Sequence, residues 1–193
     1  MNFQSIISSH LTEHLAMVEK LREQATFIED LAHRVLECLD AGGKVFFFGN
    51  GGSAADAQHL ATEFVVRFRQ NRKALPALAL HTDTSVMTAC ANDFGFETVY
   101  ARQIEALANA GDVAFGISTS GSSANVINGL EAAKAKGCLT VAFTAEGGGE
   151  CARVADLAFR APTPVTARAQ ECHLLVGHIL CDLIEETFVQ REK

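Results

Sequence analysis

Tryptophan is absent from this chain of 193 residues, and tyrosine occurs once. Platforms for stacking bases are therefore scarce. Positive charge is also short: 16 Lys and Arg stand against 23 Asp and Glu, a net charge of −7. A nucleic-acid binder ordinarily presents a basic face, and no Lys/Arg stripe forms here. No apolar run reaches the length of a membrane span. The opening MNFQSIISSHLTEHL lacks a basic segment followed by a continuous apolar core, so it is not read as a signal peptide. Cys38, Cys90, Cys138, Cys151, Cys172 and Cys181 include no CxxC pair. They are expected to be reduced thiols, several of them buried, and a cysteine-rich zinc site lacks its spacing. These absences predict a cytoplasmic chain with no nucleic-acid partner and no membrane partner.

What is present is an ordinary globular balance, 48% apolar and 20% charged. The length suits one domain over 1–193: N-terminal helices over 1–40, then an α/β core and C-terminal helix over 41–193. In the first part Ile7, Leu11, Leu15, Val18 and Leu21 recur at helical spacing, as do Ile28, Leu31, Val35 and Leu39. A break near 24–26 predicts two helices. The period then changes. Runs at 44–48, 77–80, 113–117, 139–144 and 157–160 read as five short strands buried on both faces. Between them lie predicted helices from Ser53, as N-cap, to about Arg69, over 84–91 and 97–108 around Asn92-Asp93-Phe94-Gly95, and over 124–136. A short helix is placed after Gly147–Gly149 and a long one over 167–191. Alternating strands and helices imply an open five-stranded parallel sheet with helices on both faces. Ligands of such sheets bind beyond the carboxyl ends of the strands.

Two strand-to-helix loops on that edge are rich in Gly and Ser. The first is Gly49-Asn50-Gly51-Gly52-Ser53, and the second is Ser118-Thr119-Ser120-Gly121-Ser122-Ser123. Glycines let a backbone approach an anion, and helix N-termini offer free N–H groups. Hydroxyls and amides together can wrap a phosphate without lysine. Either loop alone reads equally well as a tight turn with a cap. Two on one edge, the second with five hydroxyls in six positions, favour an anion site. Neither is a Walker A loop. Ala54 stands where a dinucleotide fingerprint has its third glycine, and no acid ends the second strand, so no nucleotide cofactor is expected.

His59 and Glu63 lie four apart on the helix after the first loop, a spacing that ligates one Zn²⁺ or makes a surface pair. They are expected near that helix's first two turns, close to the ligand edge. A carboxylate beside a sugar carbonyl is the usual base for removing a proton α to it. The last helix offers Gln170, Glu171, His173 and His178. Gln170 and His178 are separated by about 12 Å along a regular helix and ~80° around it. For both to reach one metal, either the helix begins after Gln170 or a neighbouring chain supplies one of them, and His173 is the other candidate. The same residues also read as a polar face beside the stripe Leu174, Leu175, Ile179, Leu180 and Ile184.

The segments FFFGNGGSAADAQHLATEF, ANDFGF, GDVAFGISTSGSSANVI and RAQECHLLVGHIL resemble phosphoheptose isomerases, a branch of the sugar isomerase (SIS) superfamily. The resemblance spans essentially the whole chain. It implies a flavodoxin-like SIS fold whose N-terminal helices pack between subunits of a cytoplasmic homotetramer, with active sites at subunit interfaces. It implies conversion of sedoheptulose 7-phosphate to glycero-manno-heptose 7-phosphate, the first step towards the activated heptose of bacterial surface polysaccharides such as lipopolysaccharide. By motif, Glu63 would be the base and His178 its acid/base partner. His59, Glu63, Gln170 and His178 would hold one zinc ion per subunit. Ser53, Ser118, Thr119, Ser120 and Ser123 would hold the phosphate. Asn50, Gly51, Gly52, Asn92 and Asp93 would line the sugar site, with Glu63 and Gln170 also touching substrate. The departures are Ser122, where Asn is often seen, and Ala145-Glu146, where Lys or Asp is common before the Gly run. A non-catalytic SIS relative that binds the replication initiator is the competing expectation. Such relatives lack the Glu and final His that this chain has. A sugar-phosphate sensor would need a DNA-binding domain for which there is no room.

Overall fold

The computed structural model describes residues 2–191. The chain opens with α1 (Phe3–Leu21), a single 3₁₀ turn (Arg22–Gln24) and α2 (Ala25–Asp40). The α/β part follows as β1 (Val45–Gly49), α3 (Gly52–Val65), β2 (Ala77–Ala79), α4 (Thr84–Phe94), a second 3₁₀ turn (Phe96–Thr98) and α5 (Val99–Leu107). Then come β3 (Val113–Ile117), α6 (Ala124–Ala135), β4 (Leu139–Thr144), α7 (Gly149–Val154), β5 (Leu157–Arg160) and α8 (Thr166–Arg191). The five strands are parallel in the order β2-β1-β3-β4-β5. The order reverses between β1 and β3, so the loops leaving these two strands flank the crevice where such sheets take ligands.

Strand side chains alternate between faces, and the two hydrophobic cores divide accordingly. Val45, Phe47, Phe115, Val141 and Phe143 face α2, α3 and α8, where Leu31, Val35, Leu60, Val176 and Leu180 close over them. Phe46, Phe48, Ala114 and Ala142 face the other way, against Tyr100 and Ile104 of α5 and Val126 and Leu130 of α6. Each fully buried Phe or Leu contributes about 1.5–3 kcal/mol relative to an exposed one. The three inner strands are buried on both faces, but β2 and β5 are edges with partly exposed residues. All six cysteines are free and buried. None of the described helices is long and apolar enough to cross a membrane.

Three boundaries near the site differ from the sequence reading. The helix after β1 starts at Gly52 with Gly51 as N-cap, so Ser53 sits buried inside the first turn and is not the cap. That helix stops at Val65 because the chain beyond it is pulled onto α8, as described below. Asn92 and Asp93 lie in the last turn of α4, which Gly95, at φ +93°, terminates.

Candidate active site

α3 and α8 run side by side in the same direction and in step. Gln170 of α8 packs against Gly52 of α3, Gly177 against Leu60, and His178 against His59. A Cβ at Gly52 would fall on the Gln170 carboxamide, and one at Gly177 would lie 2.5 Å from Leu60 Cδ2. A side chain at Gly52 would displace the end of Gln170, and one at Gly177 would press on the buried Leu60, so glycine at 177 lets the helices approach. The pairing brings three ligating side chains together. His59 Nε2 is 2.8 Å from His178 Nε2 and 3.3 Å from Glu63 Oε1. Ligand atoms of all three lie within 4.8 Å of one another, the one such group of His, Cys, Asp and Glu among the described residues. Two nitrogens bound to one tetrahedral ion at about 2.0–2.1 Å stand about 3.3 Å apart, so this N, N, O set converges as a metal site requires. Burial, and then the neighbouring His59, push His178 below the ordinary imidazole range, while Glu63 pulls it back up. A neutral imidazole is the form that ligates a metal or takes a proton.

Gln170 does not join this cluster within one chain. α8 begins at Thr166, so Gln170 and His178 share one helix and stay about 12 Å apart along it. His173 does not join it either. It is fully buried, its Nε2 is 2.9 Å from the Thr144 carbonyl oxygen, and its ring packs on Phe143 and Phe159. Counting from Gly52, His59 lies about 10 Å along α3, at the end of its second turn, and Glu63 about 16 Å along, one turn further than the spacing suggested. The triad is therefore set well below the sheet's carboxyl edge.

The two loops do lie on that edge. In the second, Ser118 Oγ is 3.0 Å from Ser123 Oγ and 3.5 Å from Ser120 Oγ, and Ser122 Oγ donates to Ser120 Oγ at 2.9 Å. Ser123 occupies the N-cap of α6 without using its side chain there. The first amides of α6 thus have no side-chain cap and face an anion directly, while the Ser123 hydroxyl meets that of Ser118. Gly121, at φ +65°, turns this loop against the backbone of Gly148 and Gly149, and Cys151 N donates to Gly121 O at 2.8 Å. In the first loop, Ser53 N donates to Asn50 O at 3.0 Å, and Gly51 adopts φ +57°. Asn92 and Asp93 are exposed at the end of α4, their side chains joined at 2.8 Å.

Sequence reasoning missed the support behind the triad. Glu185, 1% exposed, accepts from the backbone N–H groups of Phe68, Arg69 and Gln70 at 2.8, 2.6 and 2.6 Å. Arg72 Nε stands 3.4 Å from the same carboxylate, and Arg72 Nη2 donates to Glu63 O at 2.7 Å. Phe68, held by this capture, lays its ring 5.2 Å from that of His178. Burial alone would raise the Glu185 carboxyl. The three N–H bonds and Arg72 outweigh it and hold it below the usual range. The signal in the sequence was a lone acid within the apolar stripe Cys181, Ile184 and Phe188.

Comparison with known proteins converges on one family. The model of the SIS domain matches residues 10–145. The phosphoheptose isomerase of Aquifex aeolicus is 52% identical over 177 residues, covering 92% of this chain and 91% of that one. That of Paramagnetospirillum magneticum is 50% identical over 189 residues, covering 96% and 97%. The structure of the phosphoheptose isomerase from Neisseria gonorrhoeae superposes with a TM-score of 0.91 at 40% identity, covering 96% of this chain and 100% of that one.

Proposed function

The chain belongs to the SIS domain family, in its phosphoheptose isomerase branch, and is an aldose–ketose isomerase of sugar phosphates; on that premise we propose that it converts D-sedoheptulose 7-phosphate to D-glycero-D-manno-heptose 7-phosphate. The reaction runs through an enediol and opens the synthesis of activated heptose. The observation that carries this reading is the convergence of His59, Glu63 and His178 beneath an edge that bears two phosphate-suited loops.

The phosphate sits on Ser118, Thr119, Ser120 and Ser123 at the start of α6, where hydroxyls and helix amides supply the donors. Ser53, Asn50, Gly51 and Gly52 contact the substrate from the first loop, and Asn92, Asp93 and Gln170 close the sugar site. Glu63 takes the proton from C1 of the ketose and returns it to C2. His178 moves the other proton between the two oxygens. His59, Glu63 and His178, with Gln170 of the partner subunit as the fourth ligand, would hold Zn²⁺. Bound there, the ion would polarise the carbonyl and stabilise developing negative charge.

The active unit is a cytoplasmic homotetramer whose sites lie between subunits. Two observations support contact between subunits. Gln170, the expected fourth ligand, stands about 12 Å along α8 from His178, so one chain does not bring it to the triad. Phe3, Ile7, Leu11 and Leu15 line an exposed apolar stripe on α1, more than an isolated helix face ordinarily shows to water.

The test is incubation of the purified protein with sedoheptulose 7-phosphate, with and without added Zn²⁺, following the aldose product by NMR. Product is expected from the native chain and none from Glu63→Gln with assembly intact. No product from the folded native chain under either condition would refute the assignment and direct attention to initiator binding.

A further inference from the structure

Behind the first loop lie two polar side chains, Asn125 and Tyr100, that no role so far accounts for. Asn125, in the first turn of α6 and 3% exposed, faces Asn50 amide to amide. Asn50 Nδ2 donates to Asn125 Oδ1 at 2.8 Å, and Asn125 Nδ2 donates to Asn50 Oδ1 at 2.8 Å. Tyr100 of α5, 1% exposed, donates its hydroxyl to the Gly49 carbonyl at 2.5 Å and comes within 3.4 Å of Asn50 Oδ1. Its ring is fixed against Phe48 at 5.2 Å. Burial pushes the Tyr100 hydroxyl up to about 12, so it stays a donor at neutral pH.

An asparagine amide has two N–H donors and two acceptor lone pairs. The reciprocal pair uses one of each on Asn50. The Tyr100 hydroxyl faces the second lone pair, one N–H remains, and its direction is set by Asn125. The pair also bridges the crevice. Asn50 belongs to the loop after β1, and Asn125 stands two residues beyond Ser123, which closes the loop after β3. A buried amide pair with both bonds made is rigid, because turning either partner orphans a donor and an acceptor. We propose that Asn125 and Tyr100 are positioning residues that clamp the first loop to the start of α6 and aim the Asn50 carboxamide at the sugar. This rests on the reading that Asn50 touches the substrate.

The experiment measures kcat and KM for sedoheptulose 7-phosphate in the native chain and in Asn125→Asp, Tyr100→Phe, Asn50→Ala and the double variant N50A/N125D. Thermal unfolding is recorded on each. Asn125→Asp keeps the shape and the acceptor but sets an oxygen against Asn50 Oδ1, so Asn50 must turn away. Expected is a fall in kcat/KM of roughly tenfold to a hundredfold, the cost of one misplaced buried hydrogen-bonding group. The loss falls mainly on kcat, since the phosphate grip on the second loop is untouched. In the Asn50→Ala background the same change should cost less than twofold. Tyr100→Phe, which removes one hydroxyl, should fall by several-fold with its fold retained. Full additivity of N125D with N50A, or native kinetics in both N125D and Y100F, would overturn the clamp. Failure of the substrate reading shows separately, as no turnover by the native chain.

Discussion

Replacing Glu185 by Gln tests whether the packing of α3 on α8 is held by charge. The side chain keeps its size, so no cavity opens. One oxygen still faces Arg69 N and Gln70 N, but an NH₂ group now stands where Oε2 met Phe68 N and Arg72 Nε. Donor then faces donor, and the buried ion pair between Glu185 and the Arg72 guanidinium, 2% exposed, is broken. An orphaned buried donor costs about 1–3 kcal/mol, and removing one partner of a buried ion pair about 3–5 kcal/mol. These overlap, so the loss expected is about 3–4 kcal/mol. Urea unfolding at one fixed protein concentration reads it, because assembly makes apparent stability depend on concentration. Arg72→Met added to Glu185→Gln should recover part of the loss, since it removes the guanidinium that faced the lost carboxylate. A loss below about 1 kcal/mol would refute the reasoning, because neither penalty would then be operating. The function should follow. Phe68 would leave His178, and Arg72 would loosen from Glu63 O, so the variant should bind Zn²⁺ at least tenfold more weakly in a chelator competition.

Acid should erode stability in two overlapping windows. Burial pushes His173 from 6.5 down to about 4, with the Thr144 bond opposing. The unfolded chain therefore takes up a proton that the folded one refuses, and stability is lost as pH falls from about 6.5 to 4, by about 3 kcal/mol. Glu185, whose carboxyl is held below its ordinary value of 4.5, adds a loss as pH falls through and below that value. His173→Gln should flatten the upper window in pH-dependent urea melts, and an unchanged slope would count against it. Gly121→Ala meets two obstacles, a positive φ and the backbone carbonyl of Gly148. It should raise KM at least tenfold through the displaced second loop, and an unchanged KM would remove that loop from phosphate binding. Replacing Ser118 and Ser120 together by Ala should likewise raise KM strongly while the fold persists in circular dichroism. His59→Ala should abolish tight Zn²⁺ binding, and retained stoichiometric binding would place the metal elsewhere.

The fold was legible because its signals are local. Runs such as Val45–Phe48 and Val113–Ile117 change the hydrophobic period from helix to strand, and glycines at 42, 95 and 137 stop helices where φ turns positive. The residue types of the site were legible too, since Gly- and Ser-rich loops after β1 and β3 must fall on one edge once the sheet is parallel. Its layout was not. The helical spacing of His59 and Glu63 says that they share a face, but not how far down the helix that face meets α8. That distance is fixed by the in-step packing of Gly52 on Gln170 and Leu60 on Gly177, a contact between segments more than a hundred residues apart. Ending α3 at Val65 is of the same kind. Nothing in VVRFRQNR breaks a helix by propensity, and the turn exists because Glu185 captures three N–H groups that a longer helix would have bonded internally. Asn125 carried no signal at all, since an Asn in a helix's first turn reads as a solvent-facing residue until Asn50 is seen opposite it. Local chemistry thus named the groups, and long-range helix packing decided which of them meet.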